Sequence, residues 1–215
     1  MNFSPLRFTF GIVVLVALAL LDLREKGRHA TRWREYAFLA LCAAVAMVYG
    51  ILNDQITSRI SWEYFYYGKE LYPILGPQTP PDSTALSLQA LKIGATATWW
   101  AGLIIGAAML IANNPSRRGP QLPYRRLIAK LPMILLITVL CAIFFGFAGG
   151  QYYLNDISPD FKNIADTNLW RPHRFMAVYG IHLGGYIGGA LAAIYGATRV
   201  HHERRSLDRS SELIN

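Results

Sequence analysis

The sequence predicts an all-α protein that crosses a membrane several times, and three observations support this. The chain has 215 residues, of which 53% are hydrophobic and only 16% are charged, compared with about 25% charged residues in a typical soluble domain. Its mean hydropathy is +0.25. The basic residues, which produce a formal net charge of +8, are grouped in short blocks between long apolar stretches. This combination argues against a soluble enzyme, a disordered chain and a nucleic-acid-binding protein.

Five apolar stretches approach the length of about 20 residues that a bilayer-spanning helix requires. They cover residues 8–23, 36–52, 90–112, 127–149 and 175–200. We expect them to form a single bundle over residues 1–200, followed by a polar cytoplasmic tail at 201–215 that frays. The first stretch is short, and a cleaved signal peptide is the alternative. Its leader is only weakly basic and no small-residue cleavage motif follows it, so we expect a retained helix.

Charge placement predicts how the bundle is oriented. Fourteen of the 21 Lys and Arg residues lie in the first loop, the third loop and the C-terminal tail. Because Lys and Arg concentrate in cytoplasmic loops, these segments are expected inside, and the second and fourth loops outside. Contact with the lipid bilayer, including its anionic headgroups, explains the positive charge better than binding of nucleic acid. The expected location is the inner (cytoplasmic) membrane of a bacterium.

Polar and aromatic residues follow the second predicted span. Asn53, Asp54 and Gln55 close that span, and Trp62-Glu63-Tyr64-Phe65 follows in the outward loop. The tripeptide Leu-Asn-Asp occurs at 52–54 and again at 154–156, after the fourth span. Such a recurrence is typical of a degenerate internal repeat, although a match of three residues is also compatible with chance.

The fifth span carries a histidine within the membrane. Tyr179, His182 and Tyr186 are spaced i, i+3, i+7 and therefore share one helix face. A ridge of small residues, which lets a neighbouring helix approach closely, is formed by Gly180, Gly184 and Gly188. An ionisable residue inside a span is a candidate functional group. The alternative is that His182 only donates a hydrogen bond to a backbone carbonyl or a tyrosine.

The candidate site combines acids of the outward loop with histidines of the last span. Asp54, Glu63, His182 and His173 are the potential ligands of a divalent transition metal. For His173 to join them it must fold back, because it is nine residues from His182. Glu63, Asp54 and His182 are also the candidate catalytic residues, with Glu63 as base and Asp54 as an orienting group. The pocket is expected to be lined by Gln55, Tyr64, Trp99, Trp100 and Tyr186.

Two familiar kinds of site are not indicated. No H-E-x-x-H or C-x-x-C pattern occurs in the chain. Haem is not expected, because a bis-histidine site needs two histidines on facing helices and only His182 lies securely within a span.

These residues also resemble a family of uncharacterised bacterial integral membrane proteins. The resemblance rests on Asn53-Asp54-Gln55 followed by Glu63-Tyr64-Phe65, on Ala97-Thr98-Trp99-Trp100-x-Gly102, and on His182 followed by Tyr186-x-Gly188-Gly189. The family has His where this chain has Asn53, and Pro where it has Trp62. The resemblance implies a shared outer-face site at the matching positions, but no particular reaction.

Three functions remain open from the sequence. The first is a pocket that binds a metal ion or small ligand, with or without catalysis. The second is an accessory or scaffold subunit that docks other membrane subunits through Gly180, Gly184 and Gly188. The third, an ion transporter, is disfavoured because the cytoplasmic halves of the spans are almost wholly apolar. The sequence does not decide whether the protein is an enzyme.

Overall fold

The computed structural model of the protein describes residues 5–27, 32–114, 120–151 and 169–212. Of these described residues 87% are helical, and none of them lies in a β-strand. The all-α prediction is therefore confirmed. In chain order the helices are α1 (Pro5–Lys26), α2 (Trp33–Ile60), α3 (Tyr72–Leu75), α4 (Ser83–Ala112), α5 (Tyr124–Ile128), α6 (Leu131–Gln151) and α7 (Pro172–Glu212), with a π-helical turn at Tyr64–Gly68 between α2 and α3.

Four segments of the described chain are helical, long enough and apolar enough to cross a membrane. They are Trp33–Ile60, Ser83–Ala112, Tyr124–Gln151 and Pro172–Asp208. Large apolar side chains on them are exposed, for example Phe144 and Phe147 of α6. A water-soluble protein rarely exposes so many such groups, whereas lipid covers them without cost. Four of the five predicted spans thus correspond to candidate membrane helices, and α1 is present as a helix.

Helices α2 and α4 extend well beyond the limits predicted from hydropathy. Helix α2 ends at Ile60 rather than at residue 52, and the Ser61 amide still donates to the Thr57 carbonyl at 3.0 Å. There the Thr57 hydroxyl donates to the Asn53 carbonyl at 2.8 Å, one turn back. Helix α4 begins at Ser83 rather than at 90, and the Asp82 carboxylate caps it by accepting from the Ala85 amide at 2.8 Å. Asp54 therefore lies within a helix and not in a loop.

The predicted fraying of the tail is not observed as far as Glu212, where α7 ends. Arg204, which is only 2% exposed, donates hydrogen bonds to the carbonyls of Pro120 at 3.0 Å and Ala112 at 2.8 Å. Glu203 accepts from Lys130 at 2.5 Å and from Arg126 at 3.0 Å. These bonds attach the polar end of α7 to the last residue of α4 and to the α5 region, so that it stays helical.

The chain forms two compact units, each with its own core. The first comprises Val48–Ala95 and Thr138–Gly188, and its core contains Phe65, Leu86, Phe175 and Val178. The second comprises Asn2–Met47, Thr96–Ile137 and Gly189–Asn215. Its core includes Phe38, Met109, Leu127 and Val200.

Within the first unit, the glycine ridge of α7 packs against α6 of the same chain. A Cβ atom at Gly180 would overlap the carbonyl oxygen of Phe145, and one at Gly184 would overlap that of Cys141. A Cβ atom at Gly188 would overlap the Thr138 backbone. The ridge predicted to dock other subunits is therefore already covered by an intramolecular helix.

Candidate functional site

Asp54 is the acidic side chain around which the candidate site is arranged. It lies near the end of α2, and its side chain is buried in the first unit. The side-chain amide of Asn53 approaches one of its oxygens at 3.4 Å, which is long for a hydrogen bond. The carboxylate is therefore buried with only weak hydrogen bonding to the described residues.

His182 of α7 faces this carboxylate. Its Nε2 atom lies 3.8 Å from Oδ1 of Asp54, and both side chains are at most 10% exposed. This distance is too long for a hydrogen bond, and the two side chains form an ion pair only when the imidazole is protonated. Nε2 is buried and has no hydrogen-bond partner among the described residues. The described residues therefore leave at least this nitrogen of His182 without a hydrogen bond.

Aromatic rings hold the imidazole in place. Tyr64 stacks on His182 with ring centroids 4.9 Å apart and planes 13° apart. Phe65 meets the imidazole edge-on at 6.1 Å. Both belong to the π-helical turn, a rare geometry that recurs at functional sites. Burial raises the pKa of the Tyr64 phenol above its ordinary value, so this ring stays uncharged at neutral pH.

Lys69 adds a positive charge next to this stack. Its Nζ atom lies 5.6 Å from the centre of the Tyr64 ring, in cation–π geometry. Burial lowers the pKa of the Lys69 ammonium below 10.5, and the Asp54 carboxylate partly opposes that shift. Asp54 and Lys69 are thus opposite charges within electrostatic reach of each other.

Tyr49 is a site residue that the sequence analysis missed. Its hydroxyl is buried, and like Nε2 of His182 it has no hydrogen-bond partner within the described part of the chain. It lies 3.0 Å from the position that a Cβ atom of Gly185 would occupy, and it is within electrostatic reach of Asp54. The available signal was a tyrosine in an otherwise apolar stretch of α2, five residues before Asp54.

Glu63 lies at the start of α7, where its carboxylate is hydrogen-bonded to the backbone. It is 2% exposed, and its two carboxylate oxygens accept hydrogen bonds from the backbone amides of Trp170 at 2.5 Å and Arg171 at 3.1 Å. These amides immediately precede α7, where a negative charge is favourable. Glu63 therefore anchors the start of α7.

The predicted metal ligands do not converge. His173 is exposed, and its Nδ1 lies 3.3 Å from the Gly150 carbonyl. No three His, Cys, Asp or Glu side chains of the described residues are close enough to hold one metal ion. Of the four predicted ligands, all of which the structure describes, only Asp54 and His182 are found next to each other. This arrangement does not support a four-ligand metal centre.

The predicted pocket-lining residues are dispersed. Gln55 links α2 to α4, since its amide donates to the Ser87 carbonyl at 2.7 Å and its oxygen accepts from the Ser87 hydroxyl at 2.6 Å. Tyr186 is half-exposed and within electrostatic reach of Asp54. In the second unit, Trp99 packs on Gly11 of α1, and Trp100 is exposed. The second Leu-Asn-Asp, at 154–156, lies outside the described residues.

The arrangement has a limited chemical repertoire. An imidazole beside a carboxylate can exchange a proton, or it can hold a small molecule that offers both a donor and an acceptor. Two protein ligands alone are too few for the metal sites considered from the sequence. Comparisons with protein families, with curated proteins and with solved structures find no match to the chain. The family resemblance therefore stays a prediction.

Proposed function

We propose that this chain is a multi-pass protein of the bacterial inner membrane that binds a small polar ligand at its outward side. In this proposal α1 is a fifth span, and the C-terminus lies in the cytoplasm. The grouping of Lys and Arg supports the orientation, and the four long apolar helices support the membrane location.

The observation that carries the ligand site is the buried Asp54–His182 pair with its unpartnered Nε2 atom. A buried polar atom without a partner costs about 1–3 kcal/mol. The Tyr49 hydroxyl is a second such atom in the same unit. A molecule that hydrogen-bonds to these groups would recover that free energy on binding.

The charges at the site favour a ligand without net charge. Asp54 would repel an anion, and Lys69 would repel a cation. A small neutral molecule that both donates and accepts hydrogen bonds fits the imidazole, the carboxylate and the phenol together. The imidazole–carboxylate pair is also suited to proton transfer, which would make the bound molecule a substrate.

The scaffold alternative has less support. Docking through Gly180, Gly184 and Gly188 would need an exposed ridge, but these glycines pack on α6. The exposed apolar side chains of α6 are accounted for by lipid.

Native mass spectrometry of the detergent-purified protein tests the ligand site. We expect wild-type protein to retain a non-covalent small-molecule adduct that H182Q and D54N lose. H173Q, which alters an exposed histidine of the same helix, should keep it. Identical masses of bound material on all four proteins would refute the proposal, provided that the variants match wild type in helical content and elution volume.

A further inference from the structure

Aromatic rings close the His182 site towards the start of α7, which is the outer end of this helix in the proposed orientation. Phe175 lies between that end and His182 in the sequence of α7, and it is 1% exposed. Its ring meets Tyr64, which stacks on the imidazole, at a centroid distance of 5.4 Å. Phe65, which also contacts the imidazole, is fully buried. A molecule that approached along α7 from the outer aqueous phase would therefore meet packed rings before it reached His182.

Tyr186 connects the site with the exposed surface of α7. Its side chain is 50% exposed, and Leu183 of the same helix is 38% exposed. The two residues are three positions apart and are therefore neighbours on one helix face. Tyr186 is also within electrostatic reach of Asp54, Tyr64 and Tyr49. It thus lies at the edge of the site and can be reached from outside the chain.

The level of Tyr186 along the helices places this opening in the hydrocarbon layer. Tyr186 lies between Gly184 and Gly188, which pack on Cys141 and Thr138 of α6. Cys141 is midway along α6, about 15 Å from either end at the rise of an α-helix. Because the hydrocarbon core of a bilayer is about 30 Å thick, acyl chains surround the protein at this level. A molecule that enters beside Tyr186 has to be lipid-soluble.

The groups inside the site determine the polar end of that molecule. The Tyr49 hydroxyl and Nε2 of His182 are buried without a partner among the described residues, and the Asp54 carboxylate accepts hydrogen bonds. A hydroxyl group is a small neutral group that can donate to the carboxylate and accept from a phenol or an imidazole. It also carries no charge that Asp54 or Lys69 would repel. These groups together favour an alcohol.

We propose that the ligand of the Asp54–His182 site is a lipid alcohol that enters from the bilayer past Tyr186. Its hydroxyl group lies at Asp54 and His182, and its hydrocarbon chain extends along Leu183 into the acyl-chain layer. This inference rests on the proposed ligand site, since it specifies the molecule that is bound there.

Photolabelling in vesicles tests the proposal. The purified protein is reconstituted in phosphatidylcholine vesicles that contain hexadecanol with a diazirine in the middle of its chain, and labelled peptides are identified by mass spectrometry. We expect label on the peptide that contains Leu183 and Tyr186, and an excess of plain hexadecanol should displace it. Hexadecane, which has no hydroxyl, and palmitate, which is charged, should not. Label on Phe144 and Phe147, which are exposed on α6, reports nonspecific contact with lipid and should not respond to any competitor.

Variants of the polar partners complete the test. A hydrogen bond to a charged acceptor is stronger than one to a neutral acceptor, so in D54N the label that hexadecanol displaces should fall about tenfold. H182Q should also lose displaceable label, whereas H173Q, which alters an exposed histidine of the same helix, should keep it.

Three outcomes would overturn the proposal. Equal displacement by hexadecane or palmitate would indicate a general groove for acyl chains. Unchanged displaceable label in both D54N and H182Q would place the alcohol elsewhere. If H182Q loses the copurified ligand but hexadecanol displaces no label from wild type, the ligand site stands and its assignment to a lipid alcohol is wrong.

Discussion

Nε2 of His182 lies 3.8 Å from Oδ1 of Asp54, although the two residues belong to the last and the second helix of the chain. The two side chains are at most 10% exposed, and Tyr64 stacks on the imidazole from the π-helical turn. Three separate segments therefore converge on one imidazole. This convergence makes the interaction measurable by substitution.

Substitution of both members of the pair should give non-additive effects on stability. D54N and H182Q each remove one partner, so the double variant D54N/H182Q should lose less than the sum of the single losses. Coupling energies between contacting residues are about 0.5–3 kcal/mol. Thermal unfolding of the purified variants measures this, with D54N/H173Q as the additive control. Additivity within error for D54N/H182Q would show that the two side chains do not interact.

Replacement of Glu63 should affect the start of α7 and leave the ligand site occupied. E63Q keeps the shape of the side chain but removes the charge that accepts from the Trp170 and Arg171 amides. We expect a loss of about 1–3 kcal/mol in stability, with faster hydrogen–deuterium exchange at those amides. E25Q, which alters an exposed acid of α1, is the control. If E63Q instead removed the bound ligand with unchanged exchange, Glu63 would be a ligand-binding residue.

Two glycines of α7 should respond in opposite ways to alanine. A Cβ atom at Gly184 would overlap the backbone of α6, whereas one at Gly189 would meet open space. We expect G184A to lose about 1–3 kcal/mol through overpacking, and G189A to be neutral or to gain up to about 1 kcal/mol because alanine favours a helix. Melting temperatures of the two variants measure the difference. Equal destabilisation would contradict the close α6–α7 packing.

Burial of Lys69 should make the free energy of unfolding depend on pH in the alkaline range. Its folded-state pKa is below the ordinary 10.5, so between these two values the unfolded chain binds more protons than the folded chain. Stability should therefore rise with pH through that window. K69M and K69R have no group that titrates there, so wild type should gain in melting temperature relative to both as the pH approaches 10.5. A difference that stays constant with pH would contradict the burial of Lys69.

The helical segments could be predicted from the sequence, but their ends could not. Long apolar runs identify membrane helices because the bilayer thickness sets their length. Residues 53–60 continue α2 nevertheless, and the Ser61 amide still donates a helical hydrogen bond to the Thr57 carbonyl at 3.0 Å after the apolar run has ended. The same applies to the end of α7, where Arg204 donates to carbonyls of residues that are distant in sequence.

The candidate site was predicted only in part for a related reason. His182 and Asp54 could be named because ionisable residues are rare within spans. The sequence around Glu63 is equally compatible with a ligand-binding residue and with a residue that caps a helix. Only the position of the Trp170 and Arg171 amides, which donate to its carboxylate, indicates the capping role. Tyr49 was missed because its hydroxyl becomes unusual only through its burial against Gly185.

The contact of α7 with α6 has a consequence for the recognition of distant relatives. Gly180, Gly184 and Gly188 cannot be replaced without moving the α6 backbone, and His182 is fixed between the first two of them. Divergent sequences that keep this helix pair should therefore preserve the spacing Gly-x-His-x-Gly-x-x-x-Gly after overall similarity has been lost. An aspartate near the end of an earlier apolar helix would be the second mark of common descent.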